Sequence, residues 1–281
     1  MREEYCWVLP RTTIRLGKRT AIMGILNVTP DSFSDGGENF GLDKAIARGR
    51  EIEQEGADLI DIGGESSRPG SEAVAEEEEI RRVLPVIEGL AKTVTVPVSV
   101  DTYRANVARR ALEAGAQVVN DISAFRFDDR MPGVVKEARA AVVLMHSRGT
   151  RDTLHKQPRM ADPAAEVCEG LERAAGDAAQ AGIAAESIVI DPGVGFGKAG
   201  EESIAILKSL NGFSKIGYPV LVGTSRKSFI SLMTSSKQEE ARSWGTAATV
   251  VAAIMNGAHL VRVHDVRHTR ILAEVTDRLL V

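Results

Sequence analysis

The chain has 281 residues, 43% hydrophobic and 26% charged, an ordinary composition for a soluble protein with a large core. Its net charge of -4 provides no global field for nucleic acid or an anionic membrane, so any anion site has to be local. No apolar leader opens the chain, no stretch is long enough to span a bilayer, and Cys6 and Cys168 lack metal or redox spacing, so we expect a cytoplasmic enzyme or binding protein with free thiols.

Trp7 to Leu16 alternates imperfectly, and Gly17-Lys18 makes a turn, which predicts a short hairpin covering a barrel floor ahead of the first core strand. Ile22 to Leu26 is an apolar run ending on Asn27, followed by a loop of hydroxyls, aspartates and glycines to Gly37. Helical spacing from Leu42 to Glu55 stops at Gly56. Asp58 to Gly63 is the second strand, with the loop Gly64-Glu-Ser-Ser-Arg-Pro-Gly70 behind it. The acidic run Glu76 to Glu79 reads as a solvated first helical turn, matched to the helix dipole.

The unit then recurs. Pro97 to Asp101 precedes a helix from Arg104 to Ala114, and Ala116 to Asn120 precedes Asp121. Ala141 to His146 leads into the loop of Ser147-Arg-Gly149, and a long helix runs from Pro163 to Ala181. Ser187 to Asp191 enters Pro192-Gly-Val-Gly-Phe-Gly-Lys198, and Pro219 to Gly223 enters Thr224-Ser-Arg-Lys-Ser228. A polar insert, Thr234 to Glu240, precedes a helix at Ala241; His259 to His264 and a helix from Val266 close the chain.

These runs number eight, each short and nearly continuously apolar, as parallel strands covered on both faces should be. Helical segments of ten or more residues are expected between them. No linker divides the sequence, and no Gly-x-Gly-x-x-Gly turn follows the first strand as a dinucleotide-binding open sheet would require. We therefore expect one domain over 1–281, a (β/α)8 TIM barrel with a short N-terminal β-hairpin; such barrels need about 250 residues.

Catalytic groups in such barrels come from the carboxyl ends of the strands. Here those ends carry Asn27, Gly63 and its loop, Asp101, Asn120, Met145-His146, Asp191, Lys227 and Arg262/His264. Singly, Asp101 or Asp191 could cap a helix, Asn120 could satisfy a turn, and His146 could be a satisfied loop histidine. Their joint arrival on one rim points to a site. Arg262 and His264 share a face, with Val261 and Val263 on the other. An inward arginine needs an anion or a carboxylate, and a phosphate site after strands 7 and 8 is common in this fold; a structural ion pair is the alternative. Asp101, Asn120, Asp191 and Lys227 suit a planar heterocycle rich in N–H donors and carbonyl acceptors, with Met145 offering its ring face a soft surface or simply filling core. The glycines of 193–197 resemble a phosphate cradle or only permit a tight turn. The loops carrying Ser32, Phe33, Ser34, Asp35 and Ser66, Ser67, Arg68, Pro69 read as lids or as plain connectors. No histidine–cysteine cluster suits zinc; Asn27 with phosphate oxygens and water would suit magnesium if the substrate is phosphorylated.

Seven stretches together resemble the dihydropteroate synthase family, from about Ile22 to Val266. They are Asn27-Val-Thr-Pro-Asp-Ser-Phe-Ser-Asp-Gly-Gly37, Gly63-Gly-Glu-Ser-Ser-Arg-Pro-Gly70, Val98-Ser-Val-Asp101, Asn120-Asp-Ile-Ser123, Asp191-Pro-Gly-Val-Gly-Phe-Gly-Lys198, Ser225-Arg-Lys-Ser228 and Arg262-Val-His-Asp-Val266. The resemblance implies a transferase joining 6-hydroxymethyl-7,8-dihydropterin diphosphate to 4-aminobenzoate. It implies Asp101, Asn120, Met145, Asp191 and Lys227 around the pterin, and Asn27 (through magnesium), Ser67, Arg262 and His264 at the diphosphate. Phe33, Arg68, Pro69, Lys227 and Ser228 would border the aminobenzoate, where sulfonamides compete. Asp101, Lys227, Arg262 and His264 would carry the chemistry, Asp31, Ser34 and Asp35 would belong to a closing lid, and the protein would be a homodimer through its last helices. Ser67, where the family more often has threonine, and Ser147, where methionine is frequent, depart from the pattern without removing a needed group.

Three rivals share parts of this pattern. A pterin-binding methyltransferase of the same barrel needs no diphosphate clamp, so Arg262 and His264 count against it. A Schiff-base aldolase on Lys227 leaves Asp101, Asn120 and Asp191 unexplained. A non-catalytic pterin-binding paralogue would have no need of Asn27, Asp101, Lys227, Arg262 and His264 together.

Overall fold

A computed structural model describes residues 2–28, 38–66, 71, 73–235 and 239–280. The N-terminal hairpin pairs β1 (Tyr5–Val8) with β2 (Thr13–Leu16) antiparallel. Its turn is Leu9 to Thr12, where the Leu9 N–H donates to the Thr12 carbonyl at 2.9 Å. The apolar runs follow as β3 (Ala21–Asn27), β4 (Leu59–Gly63), β5 (Val98–Asp101), β6 (Val118–Asp121), β7 (Ala141–Met145), β8 (Ile188–Asp191), β9 (Leu221–Val222) and β10 (Leu260–Val263).

These eight strands form one parallel sheet in the order β8-β7-β6-β5-β4-β3-β10-β9. The two ends of that order meet through a single bridge between Ile190 and Val220, with the Ile190 N–H donating to the Pro219 carbonyl at 3.0 Å. A closed parallel barrel is the result, as the sequence predicts.

Strand alternation sorts the core into two apolar bodies. Inward residues Met23, Leu59, Val118, Val143, Val189 and Leu260 fill the lower barrel, and Trp7, Leu9 and Leu16 of the hairpin close it from below. The Trp7 indole N–H reaches the Ser187 carbonyl at 3.1 Å, so the plug is hydrogen-bonded as well as packed. Outward residues such as Ile22, Ile60, Val100, Val142, Ile190, Val261 and Val263 make the shell between sheet and helices. The upper inward positions hold the polar Asn27, Asp61, Asp101, Asn120, Asp191 and Arg262 together with Met145, which places the site.

Around the sheet lie α1 (Glu38–Gln54), α2 (Glu76–Ala91), α3 (Ala105–Glu113), α4 (Met131–Glu137), α5 (Pro163–Gln180), α6 (Gly200–Lys208), α7 (Leu210–Phe213), α8 (Glu239–Met255) and α9 (Val266–Leu279). No helix among the described residues is long and apolar enough to cross a membrane. Two expectations need correction. Helices α3, α4 and α6 have nine, seven and nine residues, fewer than the ten expected. Before α4 the connection is spent on a turn in which the Asp121 carboxylate accepts the N–H groups of Ser123 and Phe125 at 2.7 and 2.8 Å. The acidic start of α2 is also not wholly solvated: Glu79 is buried and ion-paired with Arg104.

Candidate active site

Strand register brings the predicted residues to one end of the barrel. Asn27 stands opposite Gly63, Gly63 opposite Asp101, Asp101 opposite Asn120, and Met145 opposite Asp191. Asp31, Phe33, Ser34, Asp35, Ser67, Arg68 and Pro69, the predicted lid and most of the aminobenzoate wall, lie outside the described residues.

Arg262 faces inward as predicted, and two carboxylates meet its charge. Its Nε donates to Asp61 Oδ2 at 2.6 Å and its Nη2 to Asp101 Oδ2 at 2.6 Å. Burial works against the guanidinium charge, but Asp61 and Asp101 outweigh it, so the pKa of Arg262 rises. The structural ion pair that the sequence left as an alternative is thus present. Asp61 was not among the predicted site residues. A charged residue inside the apolar run Leu59-Ile-Asp-Ile62 was the available signal, because an inward strand position tolerates a carboxylate only with partners.

Asp101 is raised to about 7, first by burial and then by the negative charges of Asp61, Glu79 and Asp121, with Arg262 opposing. Asn120 donates its Nδ2 to Asp61 Oδ2 at 2.9 Å. Met145 is buried on the inward face above Ala141 and Val143.

Across the barrel, burial raises Asp191, with Lys227 the main opposing charge, and its Oδ1 accepts the Gly193 N–H at 2.7 Å. Lys227 is lowered to about 8 by burial, with Asp191 opposing. Its ammonium donates to the Val194 carbonyl and lies 4.4 Å from the centre of the Phe196 ring, a cation–π placement. The turn that presents it, Thr224 to Lys227, has Arg226 at φ 59, and Ser228 behind it is exposed. His264 Nδ1 lies 2.9 Å from Ser225 Oγ, a pairing that the sequence did not suggest.

The loop over 192–198 is not a phosphate cradle. Gly193, Gly195 and Gly197 all have positive φ, and three carbonyls, of His146, Gly193 and Phe196, accept from Lys198 Nζ at 2.9 Å each. The loop is a carbonyl cage around an internal cation, and burial carries Lys198 well below the usual lysine range. A Cβ on Gly195 would stand 2.9 Å from Lys227 Cδ, so the glycine lets Lys227 lie across the loop. His146 takes the satisfied-loop alternative only in part. Its ring packs where a Cβ on Gly170 would stand 2.4 Å from Cδ2, away from the rim, and its Nδ1 has no partner among the described residues.

A cavity of about 310 Å³ adjoins the rim between the β4, β5 and β7 loops, with Asp101, Tyr103, Ile122, Arg151 and Lys156 in its wall. Glu65 ties those loops together, accepting from Arg104 at 2.8 Å, Tyr103 at 3.1 Å and Arg151 at 3.0 Å. Among the described residues no three His, Cys, Asp or Glu side chains group as a metal cage.

An amide, carboxylates and cations share this rim, and comparison with known proteins gives the chain its family. Residues 23–264 match the pterin binding enzyme family. The dihydropteroate synthase of Synechocystis sp. is 44% identical over 269 residues, covering 96% of this chain and 93% of that protein. The chain belongs to the dihydropteroate synthase family. Among solved structures, that of Xanthomonas albilineans dihydropteroate synthase with 4-aminobenzoic acid is 41% identical, superposes with a TM-score of 0.91 and covers 99% of both chains. The same enzyme in complex with 7,8-dihydropteroate is 41% identical with a TM-score of 0.84, covering 95% of this chain and 96% of that one. Family membership over nearly the full length makes this chain a dihydropteroate-forming transferase of folate biosynthesis.

Proposed function

We propose that the rim joins 6-hydroxymethyl-7,8-dihydropterin diphosphate to 4-aminobenzoate. The carbon–oxygen bond to diphosphate breaks, the arylamine nitrogen bonds to the methylene carbon, and a proton leaves that nitrogen. The observation that carries the reading is the placement of Asp101 and Asn120 opposite Asp191 and Lys227, with Arg262 beside Asp101. On this reading Asp101, Asn120, Asp191 and Lys227 seat the heterocycle and Met145 packs on its ring. Arg262 and His264, with Ser67, take the diphosphate. Asp101 then lies where positive charge grows as diphosphate departs, and a fixed carboxylate lowers the energy of that charge. Phe33, Arg68, Pro69, Lys227 and Ser228 border the arylamine, and Asp31, Ser34 and Asp35 close over it. The ligands of the two Xanthomonas albilineans structures are the substrate and product that this assignment needs.

The donor set fits a magnesium ion. A Cβ on Gly63 would stand 3.8 Å from both Asn27 Oδ1 and Asp101 Oδ2, so two hard oxygens flank a position that glycine keeps bare. Asn27 would hold the ion, which when bound supplies charge neutralisation for a diphosphate leaving group.

The experiment is to supply the pterin diphosphate, 4-aminobenzoate and magnesium and to measure dihydropteroate and diphosphate. Both should form in equal amounts. Tight pterin binding without product would instead indicate the binding paralogue. Arg262→Lys keeps a charge against Asp61 and Asp101 but loses the planar fork. It should weaken the diphosphate ester at least tenfold and the free pterin alcohol only a few fold; equal losses would remove Arg262 from the diphosphate role.

Assembly and location complete the proposal. Exposed Ile271, Val275 and Leu279 recur every four residues on α9, and exposed Trp244 and Met255 lie on the neighbouring α8. An apolar stripe of this kind suits a second copy of the chain, giving a homodimer. Free Cys6 and Cys168 suit a reducing cytoplasm.

A further inference from the structure

Asp61 has no role in the assignments above. It lies two residues before Gly63 on β4, one pleat below the rim, and is fully buried, whereas the Arg262 and Asp101 side chains keep 19% and 21% of their exposure. Three donors converge on it. Oδ1 accepts from Ser99 Oγ at 2.6 Å, while Oδ2 accepts from Asn120 Nδ2 at 2.9 Å and from Arg262 Nε at 2.6 Å. A counter-charge for a buried arginine would need only the last of these.

The other contacts have geometric consequences. Nε is the guanidinium nitrogen nearest the chain, so a bond there fixes the plane of the fork while its far end, through Nη2, meets Asp101 on the more open side. The bond from Asn120 Nδ2 settles which way that amide faces. With the NH2 group turned to Asp61, Oδ1 becomes the atom free to accept from an N–H donor. One carboxylate on β4 thus orients a side chain from β6 and another from β10, each two strands away in the sheet order.

We infer that Asp61 is a positioning residue of the reaction, anchoring from below both the arginine on the diphosphate side and the amide on the heterocycle side. The inference rests on the roles proposed above for Arg262 and Asn120. Because Nε is held by a sealed carboxylate and Nη2 by a partly exposed one, an arriving anion displaces Asp101 from Nη2 while Asp61 keeps its grip. Asp61 also adds its charge to those that raise Asp101.

Asp61→Asn tests this with little change of shape. Its amide oxygen still accepts from Arg262 and Asn120, and the Ser99 hydroxyl turns to accept from the new NH2, so charge alone is lost. Turnover of pterin diphosphate, as kcat/KM, should fall about tenfold or more, the step from a charge-assisted to a neutral hydrogen bond. The KM for 4-aminobenzoate should stay within about twofold, since neither anchored side chain borders that substrate.

A double-mutant cycle supplies the readout that a merely structural role would not move. In an Arg262→Lys background, which lacks Nε, Asp61→Asn should cost less than about threefold in kcat/KM. Losses that multiply overturn the inference, and so does a lowered melting temperature with unchanged kcat/KM. Failure of the underlying reading looks different: Arg262→Lys alone then leaves kcat/KM within about twofold, and the inference falls with it.

Discussion

Two histidines, His259 buried and His146 half-buried, show how much of a residue's chemistry its neighbours decide. His259 accepts the Val220 N–H on Nδ1 at 3.1 Å and faces the Glu3 carbonyl through Nε2 at 3.1 Å, an arrangement that fits the neutral ring with its proton on Nε2. Burial takes His259 down to about 4 and His146 down to about 3. Both folded values lie below the unfolded value near 6.5, so below that pH the unfolded chain binds protons that the folded chain refuses. Stability from these groups is therefore complete above pH 6.5 and lost as pH falls toward 4. Asp101, raised to about 7, works in the opposite sense, so a comparison of variants is needed to isolate one histidine. Denaturant unfolding at pH 7 and 4.5 should show the stability gap between the parent and His259→Gln narrowing by about 2 kcal/mol. A constant gap would mean that His259 takes up its proton in the fold as readily as in the unfolded chain.

The same scale shows what the sequence concealed. Strand ends are legible, so position alone puts Asp101, Asn120, Asp191 and Arg262 on one rim. Asp61 sits inside its strand, where the end rule does not look, and Ser225 became visible only through its bond to His264. Pairing across the barrel joins residues as distant in sequence as Asp61 and Arg262, which spacing cannot encode.

At the level of elements, the β8 loop is the piece most changed by seeing it folded. Its glycine spacing suggested a backbone aimed at phosphate, but the carbonyls point to Lys198, and the same loop supplies Val194 and Phe196 as the rest for Lys227. The distinction lies in peptide orientation, which a row of glycines leaves open in either sense. Lys198→Met should leave those three carbonyls without their cation and loosen the loop. The KM for pterin diphosphate should rise about tenfold, with faster amide exchange over 193–197. An unchanged KM would show that the cage supports only the fold. Helix lengths were misjudged for a related reason: side-chain turns such as that of Asp121 take up connection length that apolar periodicity assigns to helix.

On the scale of the whole molecule, the barrel was legible because eight short, nearly continuous apolar runs recur with helical segments between them, and the hairpin because Trp7 to Leu16 alternates; which residues of each run face inward shows only in the fold. Assembly was not legible, since the apolar stripe on α9 looks like ordinary helix periodicity until its exposure is known. Val275→Glu puts a charge in the middle of that stripe and, in sedimentation at micromolar protein, should shift a dimer to monomer with the helical circular-dichroism signal retained. A parent chain that sediments as a monomer would remove the proposed interface.

The closure of the barrel at one bridge, Ile190 with Val220, has a consequence for energetics. Six strand pairs in the circuit are zipped over at least three residue steps, and β9 meets β10 over two, but the β8–β9 seam has one rung. Asp191 stands on one lip of that seam and Lys227 just beyond the other. A ligand held by both is a staple across the least-zipped join of the circle, so part of its binding free energy is spent in fastening the barrel itself.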